Sequence, residues 1–444
     1  MYLAVAFNRF KGYGSFWEQR YSATSMTFFC EQPPLYFESL GWVYKLFGGA
    51  DVAEKIFTLF WLVLTIFLLA LIWKKLVAER YRSLSWLPAF LLVTVPVFCW
   101  AYNNQVIETM VTPLALLAFY LHAVFMRTSR KNVRALAFFG IVCVLFLLLI
   151  TKGVQSVFLL GGLFLASVCH VDGARKKHLV QNIVLAMVFV GLSTLVFMLN
   201  EKAHYWMESY FQKRLVATFN HVGATASYRE QIIVRFFSEL LPVFIVLLLV
   251  GVYVKARFKY NFSLLWKNVR SNRVGWWMIL ISFSASVPMA LTLEQRGFYL
   301  TPSFPFAVLG LAFMMRRYMF VMLAKVFDRR EKAIKISGWA LLAVSLVFFV
   351  IFKGGYKRDE GMLKDIDKLV TLVSKGEIIG IDQSTWNTFS LHSYLNKRND
   401  NSLLVSDTTR IFVQEKENKA PIPSNYKRLD ISTESIDIYE RTSK

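Results

Sequence analysis

Ile56-Phe57-Thr58-Leu59-Phe60-Trp61-Leu62-Val63-Leu64-Thr65-Ile66-Phe67-Leu68-Leu69-Ala70-Leu71-Ile72-Trp73 runs without a charged residue and stops at Lys74-Lys75. A helix needs about 20 mainly apolar residues to cross the hydrocarbon of a bilayer, and this run is close to that length. It lacks the polar–apolar alternation of a barrel strand, so only a helix satisfies its backbone in lipid. Comparable blocks lie at 84–102, 110–126, 135–150, 154–169, 179–199, 236–254, 274–292, 297–315 and 337–352. The sequence therefore predicts an all-α polytopic membrane protein with ten transmembrane helices. Composition agrees: 56% of the 444 residues are hydrophobic, against about 45–50% for soluble proteins even with glycine counted.

The formal net charge is +22, from 51 Lys+Arg against 29 Asp+Glu. A nucleic-acid ligand is the first reading of such a balance, but the positions of the charges argue against it. Lys74, Lys75, Arg80 and Arg82 form one cluster between apolar blocks, and Arg127, Arg130, Lys131 and Arg134 a second. Arg175, Lys176 and Lys177 form a third, and the connections 255–273 and 316–335 carry the rest. These five connections hold 24 basic residues, whereas the alternate ones, 103–109, 151–153 and 293–296, hold only Lys152 and Arg296. Basic residues mark cytoplasmic loops. Ten helices then leave both termini and the loop 200–235 outside, in the cell (inner) membrane if the protein is bacterial.

That topology divides the chain into a first extracytoplasmic loop with amphipathic helices at 1–55, a helical bundle at 56–352 and a soluble extracytoplasmic α/β domain at 353–444. In the tail, 359–374 has helical periodicity, 377–382 reads as a strand and 385–397 as a helix. Strands are expected at 402–406, 409–415 and 436–440. The outward 1–55 segment has no signal peptide before it, so an upstream helix is expected ahead of Met1. Cys30, Cys99, Cys143 and Cys169 have neither metal-ligand nor disulfide-framework spacing. No cofactor is required by the sequence, which leaves dependence on a divalent metal open.

Polar residues recur in the connections assigned to one side. Glu31-Gln32-Pro33-Pro34-Leu35-Tyr36-Phe37 stands in the first, Asn103-Asn104-Gln105-Val106-Ile107-Glu108 in the second and Thr151-Lys152-Gly153 in the third. Glu294-Gln295-Arg296-Gly297-Phe298-Tyr299 stands in the fourth, and the long loop adds Arg214, His221, Arg229 and Arg235. Each has a plain alternative. The proline pair stiffens a turn, Glu108 is a solvated loop carboxylate, Lys152 snorkels to the headgroups, and Arg316-Arg317 and Arg329-Arg330 are orientation signals. Taken together, carboxylates and cations at headgroup depth suit the removal of a proton from an acceptor hydroxyl and the stabilisation of a departing phosphate.

The same stretches resemble a known family. Glu31 to Phe37, followed by an amphipathic stretch and a membrane helix, is similar to the first outer loop of GT-C glycosyltransferases, in the branch of protein O-mannosyltransferases and the lipid A aminoarabinose transferase. Asn103-Asn104 with Glu108, Thr151-Lys152-Gly153, and Arg296-Gly297-Phe298-Tyr299-Leu300-Thr301-Pro302 resemble later family stretches in the same order. The resemblance implies transfer of a sugar from a polyprenyl-phosphate donor to a lipid, glycan or protein acceptor at the outer face. Membrane lipid is the remaining partner, and nucleic acid is none.

Glu108 matches the family's second acidic position and, with Glu31, is the expected catalytic carboxylate. Gln32, Pro33, Pro34, Asn103, Asn104, Lys152, Arg214, Arg229, Arg296 and Tyr299 are the expected substrate-binding residues. Two departures stand out. Gln32 occupies a position where relatives carry His or Lys. The family's principal acid precedes a run that Tyr2-Leu3-Ala4-Val5-Ala6 resembles, so that acid and the first membrane helix are expected upstream of Met1, and a chain without them is expected to be inactive. The competing reading is a non-enzymatic polytopic protein, either a lipid-linked-sugar transporter or a degenerate transferase. A transporter should show repeats and helices broken near mid-membrane, and neither stands out in the sequence.

Overall fold

The computed structural model describes residues 1–50, 52–216, 225–258, 262–291, 293–351, 359–418 and 420–442. The chain separates into two compact units: 1–29, 37–50 and 335–444 form one, and 30–36 with 51–334 form the other.

The second unit is a helical bundle. Among the described residues six helices are long and apolar enough to cross a membrane: Val52–Leu76, Glu108–Arg127, Lys131–Lys152, Arg175–Leu199, Arg273–Leu291 and Phe304–Ala324. Two bent pairs, Glu79–Leu92 with Pro96–Asn103 and Gln231–Glu239 with Leu241–Arg257, raise the number to as many as eight. The chain is thus an integral membrane protein by the length and apolarity of its helices. Leu59, Phe60 and Val63 are each 57% exposed along Val52–Leu76, and an apolar face of that size calls for lipid rather than water.

The expected ten spans resolve differently, for two physical reasons. The block at 154–169 forms a 3-10 turn, Val154–Gly161, and a short helix, Gly162–Val168, too short together for a full crossing. The blocks at 297–315 and 337–352 share one helix, Phe304–Ile351, because no proline or glycine pair interrupts the basic stretch between them. The side chains of Arg329 and Arg330 lie outside the described residues. The block at 84–102 bends by 76° where Pro96 starts a new helix, as a proline lacking its N–H does.

The other unit carries a five-stranded sheet in the order β2-β1-β3-β5-β4. Its strands are β1 (Ile378–Ile381), β2 (Ser402–Val405), β3 (Ile411–Glu415), β4 (Tyr426–Arg428) and β5 (Ile436–Arg441). β1 pairs with β2 and β3 in parallel, while β5 runs antiparallel to β3 and β4. Helices Glu360–Val370 and Phe389–Asn399 contribute Ile366, Leu369, Leu391 and Leu395 to a core shared with Ile379, Ile381, Leu403, Val413, Ile436 and Ile438. β4 had no signal in the sequence: it is three residues long, two of them are charged, and only β5 pairs with it.

Helix Tyr2–Phe10 packs on Phe389–Asn399 in this unit. Lys11 donates to the Asn396 carbonyl at 3.0 Å and pairs with Asp400. The Thr24 hydroxyl donates to Leu403 O at 2.6 Å, and the Tyr21 hydroxyl to Phe389 O at 3.1 Å. Long-range bonds of this kind attach the first 29 residues to the C-terminal sheet domain.

One buried carboxylate organises the end of that domain. Asp365, fully buried, accepts the backbone N–H groups of Glu434 at 2.8 Å, Ser435 at 2.6 Å and Ile436 at 3.1 Å. Hydrogen bonds to a charged group contribute about 1.5–3 kcal/mol each. Asp365→Ala should therefore loosen the entry to β5 by about 3 kcal/mol or more, roughly a 100-fold rise in local opening. Hydrogen exchange of the full-length protein in micelles should show faster exchange at 434–436; unchanged protection there would refute the role.

Candidate active site

Glu108 and Lys152 are placed by two helix ends. Glu108 is the first residue of Glu108–Arg127, where a carboxylate meets the positive end of the helix dipole; Lys152 is the last residue of Lys131–Lys152, where a cation meets the negative end. Gly153 then ends the second helix at φ 78°, and its N–H bonds Leu149 O at 2.8 Å. A side chain at Gly153 would also bring its Cβ within 2.3 Å of the Tyr210 hydroxyl. Glycine is required there twice over, by the backbone angle and by the space. The Ser156 hydroxyl lies 2.6 Å from Leu148 O and 2.7 Å from Gly153 O, and its one proton satisfies one of these carbonyls at the helix end.

The other helix is interrupted near its start by Pro113. Proline cannot donate to the carbonyl four residues back, which belongs to Thr109. The Tyr102 hydroxyl makes that bond instead, at 3.2 Å, and also meets the Thr65 hydroxyl at 2.8 Å. In this way the first turn carrying Glu108 is held from outside the helix.

The two ends converge. Lys152 Nζ stands 2.9 Å from Glu108 Oε1, with the two residues 6% and 1% exposed. Lys152 is therefore not snorkelling, and Glu108 is not a solvated loop carboxylate. Tyr299 adds its ring 4.7 Å from Lys152 Nζ and donates its hydroxyl to Glu294 at 3.2 Å. Glu108, Lys152 and Tyr299 line a narrow cleft with Gln155 and Ser156 on its polar side and Phe158 and Met289 among its apolar walls. Apart from their ion pair, the Glu108 carboxylate oxygens and Lys152 Nζ have no hydrogen-bond partner among the described residues.

The other expected site residues are distributed more widely. Tyr36, at the start of the helix that follows Pro33-Pro34, is fully buried and donates to Gln105 O at 2.6 Å. That bond ties the buried Gln32-Pro33-Pro34 turn to the approach to Glu108. Burial, with the charges of Glu54 and Glu108 adding to it, pushes the Tyr36 phenol above its ordinary range. Glu31 is half-buried beside Cys30 and does not line the cleft. Burial pushes the Cys30 thiol up; Lys213 opposes this and Glu31 adds to it.

Asn103 is exposed and accepts from Lys55 Nζ at 3.1 Å, while the Asn104 amide caps its own helix on Trp100 O at 2.8 Å. Arg229 and Arg296 are exposed and outside the cleft lining. The Arg229 carbonyl accepts the Gln295 amide at 2.8 Å. The side chain of Arg214, and His221 entirely, lie outside the described residues. Reading the sequence missed Glu54, Gln155, Ser156, Phe158 and Met289. Glu54 is buried in the first turn of Val52–Leu76, a charge at the mouth of a membrane helix that could have drawn notice. Phe158 and Met289 carry no signal, because an apolar residue in an apolar block looks like any other.

No protein-family model matches the sequence, and no curated relative matches it. Among solved structures, the chain overlaps ArnT from Cupriavidus metallidurans bound to undecaprenyl phosphate with a TM-score of 0.61, over 98% of this chain and 92% of that one. The chain has the ArnT fold. Identity across the match is 12%, so the likeness is one of architecture: a GT-C-type membrane bundle with a small sheet domain. The apo form of the same ArnT aligns at 15% identity and TM-score 0.47, over 84% of this chain and 63% of that one.

Removing one partner from a buried ion pair leaves an uncompensated charge, at a cost of about 3–5 kcal/mol, whereas replacing both with uncharged groups is often neutral. Glu108→Gln and Lys152→Met should each lower the thermal midpoint in detergent, and the double substitution should recover most of the loss. A double variant as unstable as the sum of the two singles would mean that the pair is not coupled.

Proposed function

We propose that this protein transfers a sugar from a polyprenyl-phosphate donor to a hydroxyl-bearing acceptor at the outer face of the membrane. The observation that carries the reading is the buried Glu108–Lys152 pair on a cleft in a bundle of ArnT fold. The ArnT of that comparison is bound to undecaprenyl phosphate, a phosphate on a long polyprenyl chain, and a buried ammonium beside an apolar wall suits such a ligand.

In this reading the acceptor hydroxyl gives its proton to Glu108 as its oxygen bonds to the anomeric carbon. The bond from that carbon to the phosphate oxygen breaks, and Lys152, turning from Glu108 to the phosphate, offsets the charge that the leaving group keeps. Tyr299 and the Gln32-Pro33-Pro34 turn hold the site's shape, and the exposed Arg229 and Arg296 draw in the donor headgroup.

One observation favours the competing transporter reading. The pairs at Pro96 and at Leu240-Leu241 bend by 76° and 44°, and discontinuous helices are the material of transporter sites. Turnover separates the two readings. Purified protein in nanodiscs should release undecaprenyl phosphate from an undecaprenyl-phosphate sugar when an acceptor lipid or glycan is supplied. Glu108→Gln and Lys152→Ala should each slow it by about 100-fold, and the stably folded double variant should be as slow. Movement of the lipid-linked sugar across the bilayer without cleavage would establish the transporter instead.

The basic-loop asymmetry supports placing the sheet domain on the outer side of the membrane, the inner membrane if the protein is bacterial. A single cysteine at the exposed Lys427, in a background with the four native cysteines replaced, should label in intact spheroplasts with a membrane-impermeant maleimide. Labelling only after lysis would reverse the orientation.

A further inference from the structure

Arg80, Arg316 and Arg317 are arginines that the sequence explains as orientation signals, but the bundle brings Arg80 and Arg316 to one side chain with Arg317 beside them, Arg316 half-buried and the other two exposed. The guanidinium carbons of Arg80 and Arg316 lie 4.8 Å and 5.8 Å from the centre of the same Tyr81 ring. That ring is buried and braced edge-on by Phe320 at 5.4 Å, so the surface between the two cations is rigid. Arg316 donates to Phe313 O at 2.5 Å, is only partly exposed, and has Arg80 and Arg317 as its neighbouring charges. Arg317 donates to Asn268 Oδ1 at 2.9 Å, and the Asn268 amide nitrogen is buried without a hydrogen-bond partner among the described residues.

Among the described residues no carboxylate pairs with any of these three arginines; the neighbouring Glu79 pairs with Arg82 at 3.3 Å. A solvated orientation signal needs neither burial nor a shared aromatic platform. A half-buried cation without a counter-ion carries a desolvation cost that a bound anion would offset. Helix Phe262–Ser271 brings Asn268 to the cluster and presents Trp266, 68% exposed, with Lys267 and Arg270 also exposed. A short amphipathic helix with an exposed Trp and basic residues, set between membrane helices, belongs at the headgroup level.

We propose that Arg80, Arg316, Arg317 and Asn268 form a binding site for the phosphate of an anionic membrane lipid, with Trp266 and the basic residues of its helix lying along the headgroup layer. Guanidinium forks match phosphate oxygens in pairs, and basic pockets between membrane helices are a recognised place for such headgroups. The site uses none of the residues of the Glu108–Lys152 cleft and does not depend on glycosyl transfer.

The test is titration of the purified protein, in a neutral detergent, with cardiolipin, with phosphatidylcholine and with inorganic phosphate, read as the shift in thermal midpoint. Cardiolipin should raise the midpoint saturably, and the other two should not. Arg80→Gln, Arg316→Gln and Arg317→Gln together should weaken half-saturation by tenfold or more, on the scale of about fivefold for each lost charge. Asn268→Asp is nearly isosteric and supplies a carboxylate to Arg317; it should keep the fold and weaken cardiolipin as well. Arg175→Gln with Lys176→Gln, exposed in another basic connection, should leave cardiolipin binding unchanged. An equal loss in that control, a saturable response to inorganic phosphate, or full cardiolipin affinity in Asn268→Asp would each overturn the proposal.

Discussion

Hydrocarbon offers no hydrogen-bond partners, so each charge and each freed backbone group inside the bundle must find its match within the protein. That demand explains placements that otherwise look unrelated. Pro113 strands the Thr109 carbonyl, and Tyr102 meets it. The end of Lys131–Lys152 exposes carbonyls, and Ser156 takes one of them. Trp277 brings its indole N–H to Gly162 O at 2.8 Å. Glu108 and Lys152 meet each other at 2.9 Å. The last case differs in kind, because the pair also opens on a cleft.

The arginine cluster around Tyr81 follows the same rule from the opposite side. At the cleft, opposite charges satisfy one another before any ligand arrives. At Tyr81, among the described residues, two guanidinium groups face an aromatic ring and, for Arg316, the Phe313 carbonyl, and that is the condition under which an anion gains most. The sheet domain is organised differently. Its core is an ordinary aliphatic layer, and its buried carboxylate, Asp365, is matched by three amides rather than by a cation.

Much of the architecture was legible in the sequence because hydrocarbon imposes a length and a composition that can be counted. The blocks beginning at 56, 110, 135 and 179 each correspond to one long helix, and the expected strands at 377–382, 402–406, 409–415 and 436–440 formed within one or two residues. What failed were the exceptions to counting. Pro96 bent one block, 154–169 was too short to cross, and 297–315 and 337–352 merged because nothing between them breaks a helix. β4 escaped notice because a charged edge strand owes its existence to the partner beside it.

The sequence by itself determined the membrane class, the C-terminal sheet domain, and Glu108, Lys152 and Tyr299 as residues of interest. Apolar run length and charge position are local properties, and a charge beside an apolar block is conspicuous wherever the chain goes next. Only the tertiary structure decided which of these residues meet. Glu108 and Lys152 share a cleft because two helix ends arrive at one place, while Glu31, Arg229 and Arg296 are left off its lining although they looked equally eligible. Tertiary structure also decided that Arg316 and Arg317 are more than a basic pair, since Tyr81 and Asn268 lie far from them in sequence. Convergence of this kind depends on packing between distant segments, and no local pattern encodes it.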